Sequence, residues 1–166
     1  MSAHPKVQAD AAGGWDAVIA APCFALGIRV DGKTVSAIEF LPPDAAPARA
    51  RPGVAERVRA QIEAYLRDPD AAFDLPLKAA GTPFQRRVWK AIREIPRGRT
   101  ATYGEIASKL GSAPLAVGQA CGANPFPLVV PCHRVVGSDG IGGFAHARDG
   151  SLLAIKRWLL EHEQAA

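Results

Sequence analysis

Cysteine is scarce in this chain: Cys23, Cys121 and Cys132 are all that the 166 residues contain. An odd, sparse count with no Cys-x-x-Cys pair argues against a disulfide framework and for a reducing compartment. Nor is there a cysteine–histidine cluster spaced for a structural zinc, and Cys23 with His4 offers too few ligands, so no metal is expected. Long apolar runs are also lacking. Residues 17–28 (AVIAAPCFALGI) come nearest, but only Lys6 precedes them as a basic residue, Asp10 and Asp16 stand ahead, and Pro22 and Gly27 punctuate the run. That pattern is wrong for a signal peptide and short of the roughly 20 apolar residues of a membrane span. The expectation is a soluble, cytoplasmic protein with no membrane partner. Internal repeats and low-complexity tracts are absent too.

What is present is an ordinary globular composition, 48% hydrophobic and 22% charged, in a chain long enough for one or two small domains. The net charge of +4 is unevenly spread. Residues 1–75 carry 8 basic and 10 acidic side chains, and residues 112–166 carry 4 of each. Residues 76–111 carry 8 basic side chains (Lys78, Arg86, Arg87, Lys90, Arg93, Arg97, Arg99, Lys109) against Glu94 and Glu105. A concentrated positive block suits a polyanion-binding face, although a solvated helix face has the same composition.

Residues 1–14 read as a loose tail. Residues 15–41 read as β structure, with Asp31-Gly32 as a hairpin signal between an apolar run and Thr34–Leu41. A Pro/Ala-rich connection over 42–52 precedes a helix over about 53–67, with Val54, Val58, Ile62 and Leu66 at i, i+4 spacing. A short strand is expected around Phe73–Leu77. Thr82-Pro83-Phe84-Gln85 then supplies an N-cap, a proline at the first helical position and a Gln at N3. The helix it opens places Phe84, Val88, Ile92 and Ile95 on one face. A second capping box, Thr102-Tyr103-Gly104-Glu105, opens a short helix ending at Gly111, and Ser112 is the expected cap of a third helix reaching Gly122.

Two short helices around a glycine turn, following a basic block, make a helix-turn-helix candidate. In the third helix Val117, Ala120 and Cys121 share one face, and Leu115 and Gln119 lie opposite. Gly118 and Gly122 leave the backbone bare for close approach. Leu115, Gln119 and Gly118, with Arg97, Arg99 and Arg134, are the expected DNA contacts.

Residues 124–136 (NPFPLVVPCHRVV) hold the candidate chemistry. Val129 and Val130 read as a buried extended segment, and Pro131 forces a turn before Cys132. A cysteine held beside a histidine and an arginine is a candidate nucleophile, because nearby cations favour the thiolate. An inert core cysteine fits the same residues. In an extended segment Cys132 and His133 would point to opposite faces, so a water or a bend would have to connect them. Along the C-terminal helix, Leu152, Ile155, Leu159 and Glu163 form one stripe, while Glu161 falls on the other side. A carboxylate ending an apolar stripe is expensive without a partner, so Glu163 is the expected partner of an internal histidine.

Pro131-Cys132-His133-Arg134-Val135 resembles the active-site signature of the O6-alkylguanine-DNA alkyltransferases. Five further ordered blocks match the same family: Gly81–Trp89 (GTPFQRRVW), Tyr103–Ala107 (YGEIA), Ala116-Val117-Gly118, Asn124-Pro125 and Lys156–Glu163 (KRWLLEHE). The similarity is close over about 81–163 and diffuse over 15–77. It implies an α/β fold in two parts: an N-terminal ribonuclease H-like α/β domain (1–77) and a helical C-terminal domain with a helix-turn-helix (78–166). It also implies DNA repair by single-turnover transfer of an alkyl group from O6-alkylguanine in double-stranded DNA to Cys132, after flipping of the damaged nucleotide. The resemblance gives His133 a water-relayed proton and makes Glu163 its orienting group. Asn124 would brace the turn, Tyr103 would work at the flipped nucleotide and its phosphate, and Val135 with the loop Gly137–Phe144, including Gly142 and Phe144, would line the base pocket. No cofactor is implied. The expected protein is a monomer, with O4-alkylthymine as a further candidate lesion.

Leu115 stands where the family usually has an arginine, and the turn before it is about two residues shorter than the commoner pattern. The alternative function is an alkyltransferase-like lesion-binding protein without efficient transfer. A cysteine hydrolase would leave the basic block without a purpose, and a purely DNA-binding regulator would leave the PCHRV segment without one.

Overall fold

The computed structural model describes residues 14–142 and 150–164. The fold is mixed α/β, and the chain divides into two compact units between Ala79 and Ala80. In the first unit, β1 (Ala17–Ala20), β2 (Ala25–Asp31) and β3 (Thr34–Leu41) form an antiparallel sheet in the order β1-β2-β3. Proline at position 22 breaks the apolar run, so the segment before Asp31 becomes two strands instead of one. Asp31 pairs with Thr34, which makes Gly32-Lys33 the two-residue turn, one position later than the dipeptide suggested. Gly32 adopts φ 61°, the left-handed conformation that a tight hairpin requires.

The register puts Ala17, Ile19, Leu26, Ile28, Ile38 and Phe40 on one face, all buried. Helix α1 (Val54–Arg67) packs against this sheet. Its buried residues are Ala55, Val58, Ile62 and Tyr65, so the core stripe is rotated from the one expected: Val54 and Leu66 are only half-buried. The aromatic ring of Tyr65 supplies more apolar area than either. Trp15 covers Gly27 on the other face so closely that a Cβ there would lie 2.7 Å from the indole ring. The strand expected at Phe73–Leu77 reduces to a single parallel bridge between Leu77 and Val35.

The second unit opens with α2 (Pro83–Arg93), and both arms of its expected capping box are present: Gln85 N–H donates to Thr82 Oγ1 and Thr82 N–H to Gln85 Oε1. A two-residue strand β4 (Ala101–Thr102) runs into α3 (Tyr103–Leu110), whose Thr102/Glu105 box is likewise complete. Gly111 ends α3 in the left-handed conformation. Helix α4 (Pro114–Gly122) follows, capped by Ala113 without a side-chain bond. Ser112 is therefore not the cap. Its backbone N–H is spent on Ala107 O at the end of α3, and Pro114 takes the first turn, where a missing N–H costs nothing.

Helices α2, α3 and α4 pack on one another, burying Val88, Trp89, Ala91, Ile92, Ile106, Ala107, Val117 and Ala120. Trp89, which the i, i+4 stripe of α2 omits, pins α2 to α4 by donating Nε1–H to Ala120 O at 2.8 Å. Helix α5 (Gly150–Gln164) closes the described chain. Among the described residues no helix is long and apolar enough to cross a membrane. Trp89→Phe removes the buried indole donor and should cost about 1–2 kcal/mol. The urea midpoint of the second unit's unfolding checks it, and an unchanged midpoint would mean that the bond contributes nothing to holding α4.

Candidate active site

The site begins where α4 ends. Asn124, 1% exposed, turns its side chain back into the next eight residues. Its Oδ1 accepts from Phe126 N–H at 2.9 Å, and its Nδ2 donates to Val130 O at 2.9 Å and to Cys132 Sγ at 3.3 Å. Val129 and Val130 are buried, but in a turn, not the extended segment expected: Val130 N–H donates to Phe126 O, and Leu128 sits at φ 74°. A leucine in left-handed backbone is strained, and the Asn124 bonds hold it there. Pro131, at φ −81° and ψ 67°, forms an inverse γ-turn in which Cys132 N–H donates to Val130 O at 2.8 Å.

Cys132–Arg134 is one turn of 3-10 helix, so the alternation expected for an extended strand does not apply. The next two residues form β5 (Val135–Val136), which pairs in parallel with β4, Ala101 beside Val135. This pair fixes Val135 beside the start of α3. Val135 itself is fully buried.

Both side chains after Cys132 converge on the C-terminal helix. His133 and Glu163 are each 1% exposed, and His133 Nε2–H donates to Glu163 Oε2 at 2.7 Å. Arg134 donates from Nε to Glu163 Oε1 at 2.9 Å, from Nη2 to Oε2 at 3.0 Å, and from Nη1 to Ile95 O at 2.7 Å. Arg97 donates to the backbone carbonyl of Glu163 at 2.6 Å. Glu161 is exposed, as the helix stripe required. Burial pushes the His133 imidazole below its ordinary pKa, with Glu163 pulling the other way and Arg134 and Lys156 adding to the depression.

Lys156, which carried no assigned role in the sequence reading, is fully buried in this cluster. Its Nζ donates to Val135 O at 2.8 Å and Ile141 O at 2.6 Å, and burial lowers its pKa to about 8. The Cys132 thiol is held well above the usual cysteine range, first by its hydrogen bond with the free Cys121 thiol and then by burial, with Asn124 and Lys156 opposing. The expectation that neighbouring cations would favour a resting thiolate is thus corrected. His133 is disposed to be neutral, and the Arg134 charge is spent on Glu163.

Tyr103, half-buried at the start of α3, lies between two glycines. A Cβ on Gly118 would be 4.0 Å from its ring and a Cβ on Gly142 3.1 Å away. Leu115 and Gln119 are on the exposed side of α4, and Leu115 is 74% exposed. Arg99 is exposed as well, whereas Arg97 is half-buried against α5. Arg134 is the expected DNA contact that the structure contradicts: its side chain is 13% exposed and its guanidinium faces inward. Phe144 lies outside the described residues. Among the described residues no group of three or more His, Cys, Asp or Glu side chains could hold a metal.

A family model described as "6-O-methylguanine DNA methyltransferase, DNA binding domain" matches residues 83–165. A Mycobacterium bovis protein named methylated-DNA–protein-cysteine methyltransferase is 38% identical over 154 residues, 89% of this chain and 90% of the relative. The chain belongs to the 6-O-methylguanine DNA methyltransferase family.

Family members elsewhere match over shorter spans. A probable methylated-DNA–protein-cysteine methyltransferase of Acanthamoeba polyphaga mimivirus is 50% identical over 93 residues, 55% of this chain and 59% of its own length. With the Methanosarcina acetivorans member the match is 46% over 106 residues, 62% of this chain and 65% of that one. The chain therefore spans less than two thirds of these two relatives. Among solved structures, the O6-methylguanine methyltransferase of Mycobacterium tuberculosis superposes with a TM-score of 0.74 at 35% identity, covering 89% of this chain and 91% of that one. The same Mycobacterium protein in complex with DNA gives 0.73 at 36% identity, over the same shares of both chains.

Asn124→Ala in this family member should destabilise the second unit by about 3 kcal/mol, because it strips two buried carbonyl or amide partners and the sulfur contact at once. Urea unfolding checks it. A loss below about 1 kcal/mol would show that the turn holds without its side-chain brace.

Proposed function

We propose that this protein repairs DNA by taking an alkyl group from O6-alkylguanine in double-stranded DNA onto Cys132, once per molecule. The observation that carries the reading is the buried Cys132 thiol held by Asn124, one residue before a His133–Glu163 pair, in a chain of this family. Cys132 Sγ attacks the alkyl carbon, the S–C bond forms as the C–O6 bond breaks, and the electron pair leaves on the purine. A water carries the thiol proton to His133 Nδ1, because Nε2–H is committed to Glu163. The purine takes a proton in turn and leaves as guanine. A thiol protonated at rest loses its proton only as the attack proceeds, and the high basicity that burial confers makes the emerging sulfur the stronger nucleophile. No cofactor enters these steps.

In this reading residues 1–77 are a ribonuclease H-like α/β domain, and residues 78–166 are the DNA-binding and acceptor domain, with α3 and α4 as the helix-turn-helix. Gln119, Gly118 and Arg99 belong to the DNA-facing side, Tyr103 acts at the flipped nucleotide, and Val135 with Gly142 lines the base pocket. Lys156 joins the site by tying Val135 O and Ile141 O together. The protein acts as a monomer in the cytoplasm.

Incubation with labelled O6-benzylguanine should attach one label per molecule, lost in Cys132→Ala and kept in Cys121→Ala and Cys23→Ala. Label mapped to Cys121, or repeated turnover, defeats the assignment. DNA binding without any label supports the lesion-binding alternative instead.

A flipped nucleotide leaves a gap in the stack, and Leu115 fills it as an apolar wedge. Arginine there would add a charge-assisted hydrogen bond on the order of 1–2 kcal/mol, roughly tenfold in the flipped population. Leu115→Arg should therefore speed repair of O6-methylguanine in duplex DNA severalfold and leave the reaction with free O6-benzylguanine unchanged. Parallel changes in both rates would remove Leu115 from the flipping step.

A further inference from the structure

Every guanidinium nitrogen of Arg134 is used on the interior: Nε and Nη2 on the two oxygens of Glu163, Nη1 on Ile95 O. One of those carboxylate oxygens, Oε2, is also the acceptor for His133 Nε2–H. A carboxylate that dry, 2.7 Å from an imidazole and otherwise unbalanced, would draw a proton onto the ring and make an ion pair. With Arg134 in place the charge is already balanced, and a protonated ring would leave an uncompensated cation in a buried site. The other groups facing the ring act in the same sense or are neutral. Lys156 adds a second cation from α5, Arg97 donates to the Glu163 backbone carbonyl and not to its carboxylate, and the Cys132 thiol is held protonated by its surroundings.

We propose that Arg134 is a positioning residue for alkyl transfer: its two-pronged grip on Glu163 fixes the carboxylate against His133 and cancels its charge, so that His133 stays neutral and able to accept the proton of Cys132. The proposal rests on the alkyl-transfer reading for its consequence, but the state of the His133 ring can be read without any transfer. The sign follows from the roles. A neutral ring is required, so transfer is lost as pH falls through the His133 pKa. Removing Arg134 raises that pKa and moves the loss to higher pH, by about 1–2 units for one opposing charge at this range. Each unit is a tenfold drop in rate on the acid limb, with little change on the alkaline plateau.

The test is an NMR titration of the His133 ring in the full-length protein, assigned by comparison with His133→Gln, alongside the pH profile of labelling by O6-benzylguanine. The unaltered protein should titrate below the ordinary histidine range. Arg134→Ala should titrate about 1–2 units higher. Arg134→Ala combined with Glu163→Gln should return to the low value, since the charge to be balanced is gone. Should Arg134→Ala fail to fold, Arg134→Gln keeps an amide donor for Glu163, removes the charge and is read in the same way. An unchanged His133 midpoint in the single variant, or a midpoint that stays high in the double one, overturns the proposal. So does a shifted midpoint with an unshifted acid limb of labelling. If no form of the protein takes up label, the alkyl-transfer reading fails, and the titration alone decides the charge-balancing role.

Discussion

A carboxylate out of contact with water sets the terms for the site around Cys132. Glu163 is 1% exposed, and an isolated buried charge would cost several kcal/mol or more. Its position is made tenable by two other pieces of chain: the 3-10 turn brings the imidazole of His133 and the guanidinium of Arg134, and the loop after α2 brings the Ile95 carbonyl that steadies that guanidinium and Arg97 on the Glu163 backbone oxygen. The loop after α2, the 3-10 turn and the last turn of α5 are therefore tied to one point. Losing any one partner would strand charge or polar groups in the interior, so these segments keep one mutual arrangement. The surroundings of Cys132 inherit that rigidity, since Cys132 is the residue next to His133.

A second constraint acts on the backbone. Between Asn124 and Cys132 the chain reverses within eight residues, through a leucine at positive φ and an inverse γ-turn at Pro131. Such conformations persist only where the surroundings over-determine them, and here Asn124 does so with three bonds from one side chain. The reward is placement: Sγ is buried, held at 3.3 Å from an amide donor and hydrogen-bonded to the Cys121 thiol of α4. Dryness has a price for the thiolate and a benefit for the attack, because a thiolate formed in an apolar site is weakly solvated and strongly nucleophilic.

What could be read from the residues was whatever rests on local backbone rules. Both capping boxes were visible because they need only a Thr, a Glu or Gln three residues on, and no tertiary knowledge. Glu163 was visible because helical periodicity carries a carboxylate into the apolar stripe, where chemistry demands a partner. Lys156 lies beside Ile155 on the same helix, yet escaped notice: its partners are the carbonyls of Val135 and Ile141, and main-chain acceptors leave no trace in residue type. Trp89 was missed for the same reason, its acceptor being Ala120 O. Ser112 has the right chemistry for a cap, but the proline two residues later shifts the helix start beyond its reach. Arg134 was misassigned because charge counting cannot tell a cation that faces water from one that faces a carboxylate.

That distinction divides the positive charge of the second unit into two populations. Arg134, Lys156 and Arg97 donate to interior acceptors. Arg86, Arg87, Lys90 and Arg93 project from the exposed side of α2, and Arg99 follows in the next loop. Of these, Arg87 already donates to Leu110 O. Each cation that neutralises a phosphate adds about 0.9 to the slope of log affinity against log salt. On the DNA-repair reading proposed above, the exposed set is the one that meets phosphates, irrespective of the sequence or damage of the duplex. The interior set governs the protonation of the site. Because the two sets share no residue, DNA affinity and acceptor chemistry can, on that reading, be tuned by substitution independently. Arg97, half-buried two residues before Arg99, ties the loop that follows α2 to the last turn of α5, and so to the helix that carries Glu163.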